Sequence, residues 1–235
     1  MSTPSVEDYV KTIYKAAATS TSVSPQAIAV RMCVSPPAVS KMLRRLEALN
    51  LISYSKTGGV RLTNAGEKVA LEIVRHHRLL ELYLVEALGY DWDEVHDEAE
   101  RLEHHISEEF EQRIDALLGY PKRCPHGDPI PHKDGTIAAI RDSALSLQSP
   151  PSALTIQRVS DADAALLRHL KTLGLLPGTA IEFLEQEPFG GAFVIRLGDQ
   201  IVRVSQLAAD QIYVSNPDES EPSASRLDSR SEVCD

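Results

Sequence analysis

Residues 24–63 narrow the possible folds more than any other stretch of this 235-residue chain. Ser24-Pro25 is a helix-start pair, because proline's fixed φ suits the first helical position and its missing N–H is not needed there. An apolar-patterned run continues to Met32, and Cys33-Val34 makes a brief connection. Ser35-Pro36-Pro37 repeats the start signal, and the run AVSKMLRRLEALN predicts a second helix to Asn50. Leu51 to Tyr54 then predicts a strand, Lys56-Thr57-Gly58-Gly59 a hairpin turn, and Val60 to Thr63 the return strand. Helix, tight turn, basic helix and two-stranded wing make up the winged helix-turn-helix pattern.

In such a module the N-terminal end of the second helix lies in the major groove. Ser35, Pro36, Pro37, Ala38, Ser40 and Lys41 are therefore expected toward base edges, with the Ala38 methyl suited to thymine. Arg44, Arg45, Lys56 and Arg61 are expected at phosphates. Winged helices also bind proteins, and the net charge of −10 at first argues against nucleic acid. The distribution reverses that argument. Residues 1–70 hold nine basic against four acidic side chains, a balance of +5, which leaves −15 for the remainder. A basic module on an acidic body implies double-stranded DNA as partner for the first part only.

A helix over Glu7–Ala17 places Tyr9, Val10, Ile13, Tyr14 and Ala17 on one stripe, with Asp8 beside it. Asn64 to Glu67 leads into a long helix towards His77. The stretch Leu71–His105 carries five of the eight histidines. His77 and Glu81 share a helical face, and so do His96, Glu100, Glu103 and His104. Gly89 and the run Asp91-Trp92-Asp93-Glu94 predict a helix stop, then a cap and an acidic first turn, so two helices can turn these faces toward each other. Imidazole with several carboxylates is a ligand set for a divalent transition ion. Solvated helix faces are also rich in Glu, so spacing alone leaves a plain surface helix open. A di-metal carboxylate enzyme is the rival class. It needs Glu-x-x-His on two helices, but Arg101 and Leu102 stand three before His104 and His105, and no HExxH occurs.

The second helix is expected to continue past His105 to Tyr120, followed by a Pro- and Gly-rich loop. Strand-like segments and Gly turns after Ser152, with a helix capped by the Asp161–Asp163 segment, predict a small β-barrel. The expected organisation is a winged helix-turn-helix over 1–70, a helical metal-binding and dimerisation domain over 71–135, a linker over 136–152, an SH3-like barrel over 153–215 and a disordered tail over 216–235. The fold class is mainly α with small β parts. Cys33, Cys124 and Cys234 are far apart and odd in number, which fits a reducing cytoplasm. No apolar run approaches the roughly 18 residues of a membrane span, so no membrane partner is expected.

Five stretches in order, EDYVKTIY, SPPAVSKMLRRLEALNLI, RHHRLLE, VHDEAERLEHHIS and CPHGDPIP, resemble the diphtheria-toxin-repressor family of metal-dependent regulators. The similarity is greatest to its manganese-transport type with a C-terminal SH3-like (FeoA-like) domain. It covers residues 4–135 closely and the barrel loosely. It implies a homodimeric repressor that binds operator DNA when charged with Mn²⁺, and controls metal uptake genes. Fe²⁺ is the alternative ion. It also implies a primary site of Asp8, Glu100, Glu103 and His104, and an ancillary site of His77, Glu81, His96 and Asp161, with Asp163 as runner-up for the last. Iron-responsive members carry Met and Cys at the positions of Asp8 and Glu100, so the carboxylates point to manganese. Lys11 departs from members with a glutamate there, which argues against a paired ion site sharing His77. Cys124 and Asp128 replace the Ser and Asn that hold an anion in some members, so no anion is expected at Arg78. His76 and His105 match no role and are expected at the surface.

Overall fold

The structure is a computed structural model that describes residues 4–18, 22–55 and 57–217. Lys56 and residues 218–235 of the expected tail therefore lie outside the described residues. The chain divides into two compact units, one of residues 1–140 with 161–168, the other of 141–160 with 169–235.

The first unit opens with α1 (Pro4–Ala17), α2 (Pro25–Arg31) and α3 (Pro36–Ala48), then the hairpin β1 (Ile52–Ser55) and β2 (Gly59–Leu62). Ser24 caps α2, its side chain accepting from the Ala27 N–H, and the turn to α3 passes through Cys33 at φ 53°. Ser55 pairs with Gly59 at the hairpin end, where a φ of 68° favours glycine. Val6, Tyr9, Val10 and Ile13 of α1 pack with Ile28, Val39, Leu43 and Leu46 into one core. Tyr9, Val10 and Ile13 of the predicted stripe are thus buried, while Tyr14 is half-buried and Ala17 exposed, and this burial rather than helix propensity holds these short helices.

α4 (Asn64–Leu88) is the spine. Thr63 caps its start, and Gly66 lets it press against the backbone just before β1, since a Cβ there would meet the Leu51 carbonyl oxygen at 1.9 Å. Its first turns pack in the winged-helix core. Its second half packs Leu79, Leu80, Leu82 and Leu84 against Val95, Ala99 and Ile114. Gly89, left-handed at φ 73°, ends it.

α5 (Val95–Leu102) and α6 (Glu108–Leu117) follow. This corrects two expectations. The Asp91–Glu94 run forms a turn before α5 rather than its first turn. The helix does not continue through His105 either. It stops at Leu102, and Ser107 starts a new helix by accepting from the Phe110 N–H. Glu103 and His104 therefore lie in a break and not on a helix face.

In the second unit the sheet order is β3 (Ser143–Ala144), β8 (Ile212–Ser215), β4 (Ser152–Val159), β5 (Ala180–Gln186), β6 (Phe193–Leu197) and β7 (Gln200–Val204), with every pairing antiparallel. Part of the expected linker contributes β3 and the buried Leu145 to this unit. α7 (Ala164–Leu173) and α8 (Gln206–Ala209) complete the helices. Asp163 caps α7 by accepting from the Ala165 N–H, which leaves Asp161 free of that role.

Candidate metal centre

Asp8 on α1 meets Glu103 and His104 from the break after α5, and their ligand atoms lie within 4.8 Å of one another. His104 Nε2 is 2.7 Å from Asp8 Oδ1 and 3.4 Å from Glu103 Oε1. The other ring nitrogen, Nδ1, is 2.7 Å from Glu7 Oε2, so Glu7 orients the imidazole from behind. A carboxylate on the far ring nitrogen is the usual outer partner of a metal-binding histidine, and it leaves the near nitrogen free to bind. Glu7 was not anticipated, although it adjoins Asp8 in sequence. Burial pushes the Asp8 carboxyl up, against the pull of His104. Glu100, the fourth expected primary ligand, groups instead with Glu103 and His77.

The four expected ancillary residues also come together: His77, Glu81, His96 and Asp161 form one group within 4.8 Å. Glu81 Oε1 is 3.1 Å from His77 Nε2 and 3.4 Å from His96 Nδ1, which in turn is 3.5 Å from Asp161 Oδ2. Burial pushes the Glu81 carboxyl up, but the charge of His77 and the surrounding imidazoles hold it well below the usual range. Asp161 is held low by Lys15, again against burial.

Glu81 has a second set of neighbours that the sequence reading missed. Cys124 and His126, both buried, group with it. His126 Nε2 donates to the Trp92 carbonyl at 2.7 Å, which aims Nδ1 at Glu81 Oε2, 3.6 Å away. Neither of those two buried atoms has a hydrogen-bond partner. They face each other as an ion pair just beyond hydrogen-bond reach, with the buried Cys124 thiol in the same group. The Cys-x-His spacing in the CPHGDPIP loop was the available signal. Arg78 meanwhile lies 3.4 Å from Asp128 and donates to the Pro129 carbonyl, so a carboxylate of the chain itself stands where an anion would pair.

His76 is corrected from surface to core, being 7% exposed. Its Nδ1 donates to the Glu103 carbonyl at 3.2 Å and its Nε2 faces Glu111 at 3.5 Å. Arg75 binds Glu111 at 2.5 Å and Asp115 at 2.7 Å. Hydrogen bonding from His76, then from Arg75 and its charge, lowers the Glu111 carboxyl from 4.5 to about 2 against burial. A depressed carboxyl stabilises the fold fully above its unfolded value, and the effect fades as pH falls through its folded one. Glu111→Gln should therefore cost roughly 3 kcal/mol at neutral pH, at about 1.4 kcal/mol per pH unit, and almost nothing below about pH 2. Urea denaturation of both proteins across that range checks this.

Of the residues expected at DNA, Ser35, Pro36, Pro37, Ala38, Ser40, Lys41, Arg44 and Arg45 are all exposed on or just before α3, and Arg61 is exposed on β2. Ser40 Oγ donates to the Pro36 carbonyl, so its hydroxyl proton is already engaged.

Comparison with known proteins places this geometry. The N-terminal DNA-binding domain of iron-dependent repressors matches residues 1–60, their metal-binding and dimerisation domain residues 63–132, and the FeoA domain residues 143–216. Iron-dependent repressor IdeR of Mycobacterium tuberculosis is 31% identical over 220 residues, covering 88% of this chain and 95% of that one. The chain belongs to the iron-dependent repressor family. The diphtheria toxin repressor of Corynebacterium diphtheriae is 28% identical over 191 residues, with 77% and 84% covered. Among solved structures, a manganese-dependent transcriptional repressor in complex with manganese superposes with a TM-score of 0.85 at 38% identity, covering 90% of this chain and 99% of that one. The manganese regulator SloR gives 0.75 at 36% identity, with 92% and 100% covered. Family members are transcriptional repressors, so the enzyme alternative falls. Among the described residues no helix is long and apolar enough to cross a membrane.

Proposed function

We propose that this chain is a manganese-activated cytoplasmic repressor that binds operator DNA as a homodimer and controls metal uptake genes. The observation that carries this is the Asp8–Glu103–His104 cluster, because Asp8 stands on α1 of the DNA-binding part and the other two on the break after α5. Partly exposed Glu100 on α5 is the fourth ligand in this reading. Oxygen donors with a single imidazole suit Mn²⁺, a hard ion, better than softer ions. A bound ion would supply positive charge that draws the two parts together. Glu7 holds the His104 ring, and Asp8 and Glu103 provide the negative charge.

For the ancillary site we keep Glu81 and Asp161. Two ligand sets compete around them. His77 and His96 are the set implied by resemblance, and Glu103, 2.6 Å from His77 Nδ1, leaves Nε2 facing Glu81 at 3.1 Å. Cys124 and His126 instead approach Glu81 at its other oxygen, with His126 Nδ1 3.6 Å from Oε2. Homodimerisation is supported by an apolar groove lined by Leu80, Tyr83, Leu84, Leu102 and Ile106 and edged by the exposed Leu88 and Phe110. Exposed apolar patches of this kind mark interaction sites, and a symmetric dimer presents two recognition helices to two half-sites. Fe²⁺ remains the alternative, as the iron-dependent naming of the relatives suggests.

The test is a mobility-shift titration on a duplex selected in Mn²⁺, repeated in chelator. Removal of metal should weaken binding at least roughly tenfold, within the usual span of coupling between two sites. Equal affinity in both conditions would overturn the proposal.

A further inference from the structure

We infer that His76 is a positioning residue for the primary centre: its grip on the Glu103 carbonyl stops α5 there and makes the break that presents Glu103 and His104 to an ion. This deepens, and rests on, the reading of Asp8, Glu103 and His104 as metal ligands. Helical periodicity runs through His105, yet α5 ends at Leu102 and the chain is not helical again until Glu108. Ser107 marks where α6 starts, but residues 103–106 hold neither proline nor glycine, so no local residue stops α5. Had the helix continued, the Ser107 N–H would donate to the Glu103 carbonyl. That carbonyl instead accepts from His76 Nδ1 at 3.2 Å. The imidazole thus fills the acceptor that the next helical turn needs, and it comes from α4, which packs against both α5 and α6.

Two adjacent histidines of α4 hold Glu103 at both ends. His77 Nδ1 lies 2.6 Å from its carboxylate, and His76 Nδ1 holds its carbonyl. With backbone and side chain both held, the fully buried Glu103 keeps one position, and His104, next in the chain, meets Asp8 at 2.7 Å. Ligands fixed before the ion arrives cost less ordering on binding, which is how a partner one step removed raises metal affinity. The other His76 nitrogen, Nε2, faces Glu111 Oε2 at 3.5 Å, so neither ring nitrogen is left to be a ligand. Arg75, one residue earlier on α4, holds the second Glu111 oxygen and braces the ring from behind. The brace spans the break, because Glu103 closes α5 and Glu111 lies in the first turn of α6.

The test uses the full-length protein and three variants that separate the two ring nitrogens. The amide N–H of asparagine reaches the place of Nδ1, that of glutamine the place of Nε2, and leucine offers neither. Mn²⁺ affinity is measured from the EPR signal of the free ion, and the urea unfolding midpoint is taken in chelator. His76→Asn should bind Mn²⁺ at the primary centre like wild type, although losing the Glu111 contact lowers its unfolding midpoint. His76→Gln and His76→Leu should bind it about 10–100-fold more weakly, the span of an outer partner. A merely structural His76 would lower affinity in step with the unfolding midpoint, Asn included, and that result overturns the inference. So does a Gln or Leu variant weakened by less than about tenfold. Asn and Gln both keep a polar amide in the pocket, so their comparison stands even where the Leu variant fails to fold. In an Asp8→Ala background, which lacks the primary centre, the same substitutions should leave the remaining manganese affinity unchanged, and a loss there overturns the inference as well. If Asp8→Ala alone loses no ion, the primary centre itself is refuted. If it loses one while His76→Gln and His76→Leu bind like wild type, only the role of His76 is.

Discussion

Glu103→Gln is expected to abolish the response to every divalent ion and to destabilise the chain even in chelator. Glu103 is fully buried and serves three partners: the Lys11 ammonium at 2.7 Å, His77 Nδ1 at 2.6 Å, and His104 Nε2 at 3.4 Å. Losing its charge leaves Lys11 with Glu100 alone, whose side chain is 45% exposed. Breaking a buried pair from one side costs about 3–5 kcal/mol, because the remaining charge keeps its desolvation penalty. Outer partners of metal ligands are worth roughly 10–100-fold in metal affinity, so a direct ligand should exceed that. The expected result is a shift in the Mn²⁺ midpoint for DNA binding of more than about 100-fold, with a lower unfolding midpoint in chelator. Glu109→Gln is the matched control. Glu109 pairs with Arg113 at 2.7 Å, but both side chains are over three-quarters exposed, and such pairs contribute at most about 1 kcal/mol. A Glu103→Gln midpoint within about tenfold of wild type would remove Glu103 from the ligand set.

The winged helix was legible because its punctuation is local. Ser24-Pro25, Ser35-Pro36 and the Gly58-Gly59 turn each act on the backbone beside them, so residue order alone locates the elements. The break after Leu102 carried the same kind of signal. Ser107 followed by Glu108 and Glu109 is a good helix start, but helical periodicity running through His105 masked it. Asp8, Glu103 and His104 were found by resemblance, and their convergence depends on packing across more than ninety residues that no local rule contains. The role of His76 and the partners of Lys11 were not legible for the same reason. Each is set by what packs opposite, Glu111 for the one and the Glu100–Glu103 pair for the other. Cys124 and His126 lie in a loop that the sequence marks only as Pro- and Gly-rich. Their meaning appears once that loop returns to Glu81 on α4.

Metal choice should reside in Asp8 and Glu100, and the double change Asp8→Met, Glu100→Cys should move activation from Mn²⁺ towards Fe²⁺ and Co²⁺. Methionine withdraws a charged oxygen from the Asp8–His104 contact and offers a soft thioether. Cysteine withdraws a second oxygen and offers a thiolate, which suits Fe²⁺, Co²⁺ or Zn²⁺ better than Mn²⁺. Stability should change little at Glu100, because its bond to Lys11 is partly solvated and Glu103 keeps the ammonium paired. The existing sulfur at Cys124 complicates a simple binding count, since a soft ion held near Glu81 would register as gained affinity. DNA affinity is the cleaner readout, taken against free metal for each ion, anaerobically for Fe²⁺, in the Cys124→Ser background as well as in wild type. In both backgrounds the ratio of Fe²⁺ to Mn²⁺ midpoints should fall at least roughly tenfold, about 1.4 kcal/mol of differential binding. A shift that vanishes in the Cys124→Ser background would move selectivity to the Glu81 cluster. A double variant that keeps the parent's Mn²⁺ preference in both would show that oxygen donors at Asp8 and Glu100 do not set it.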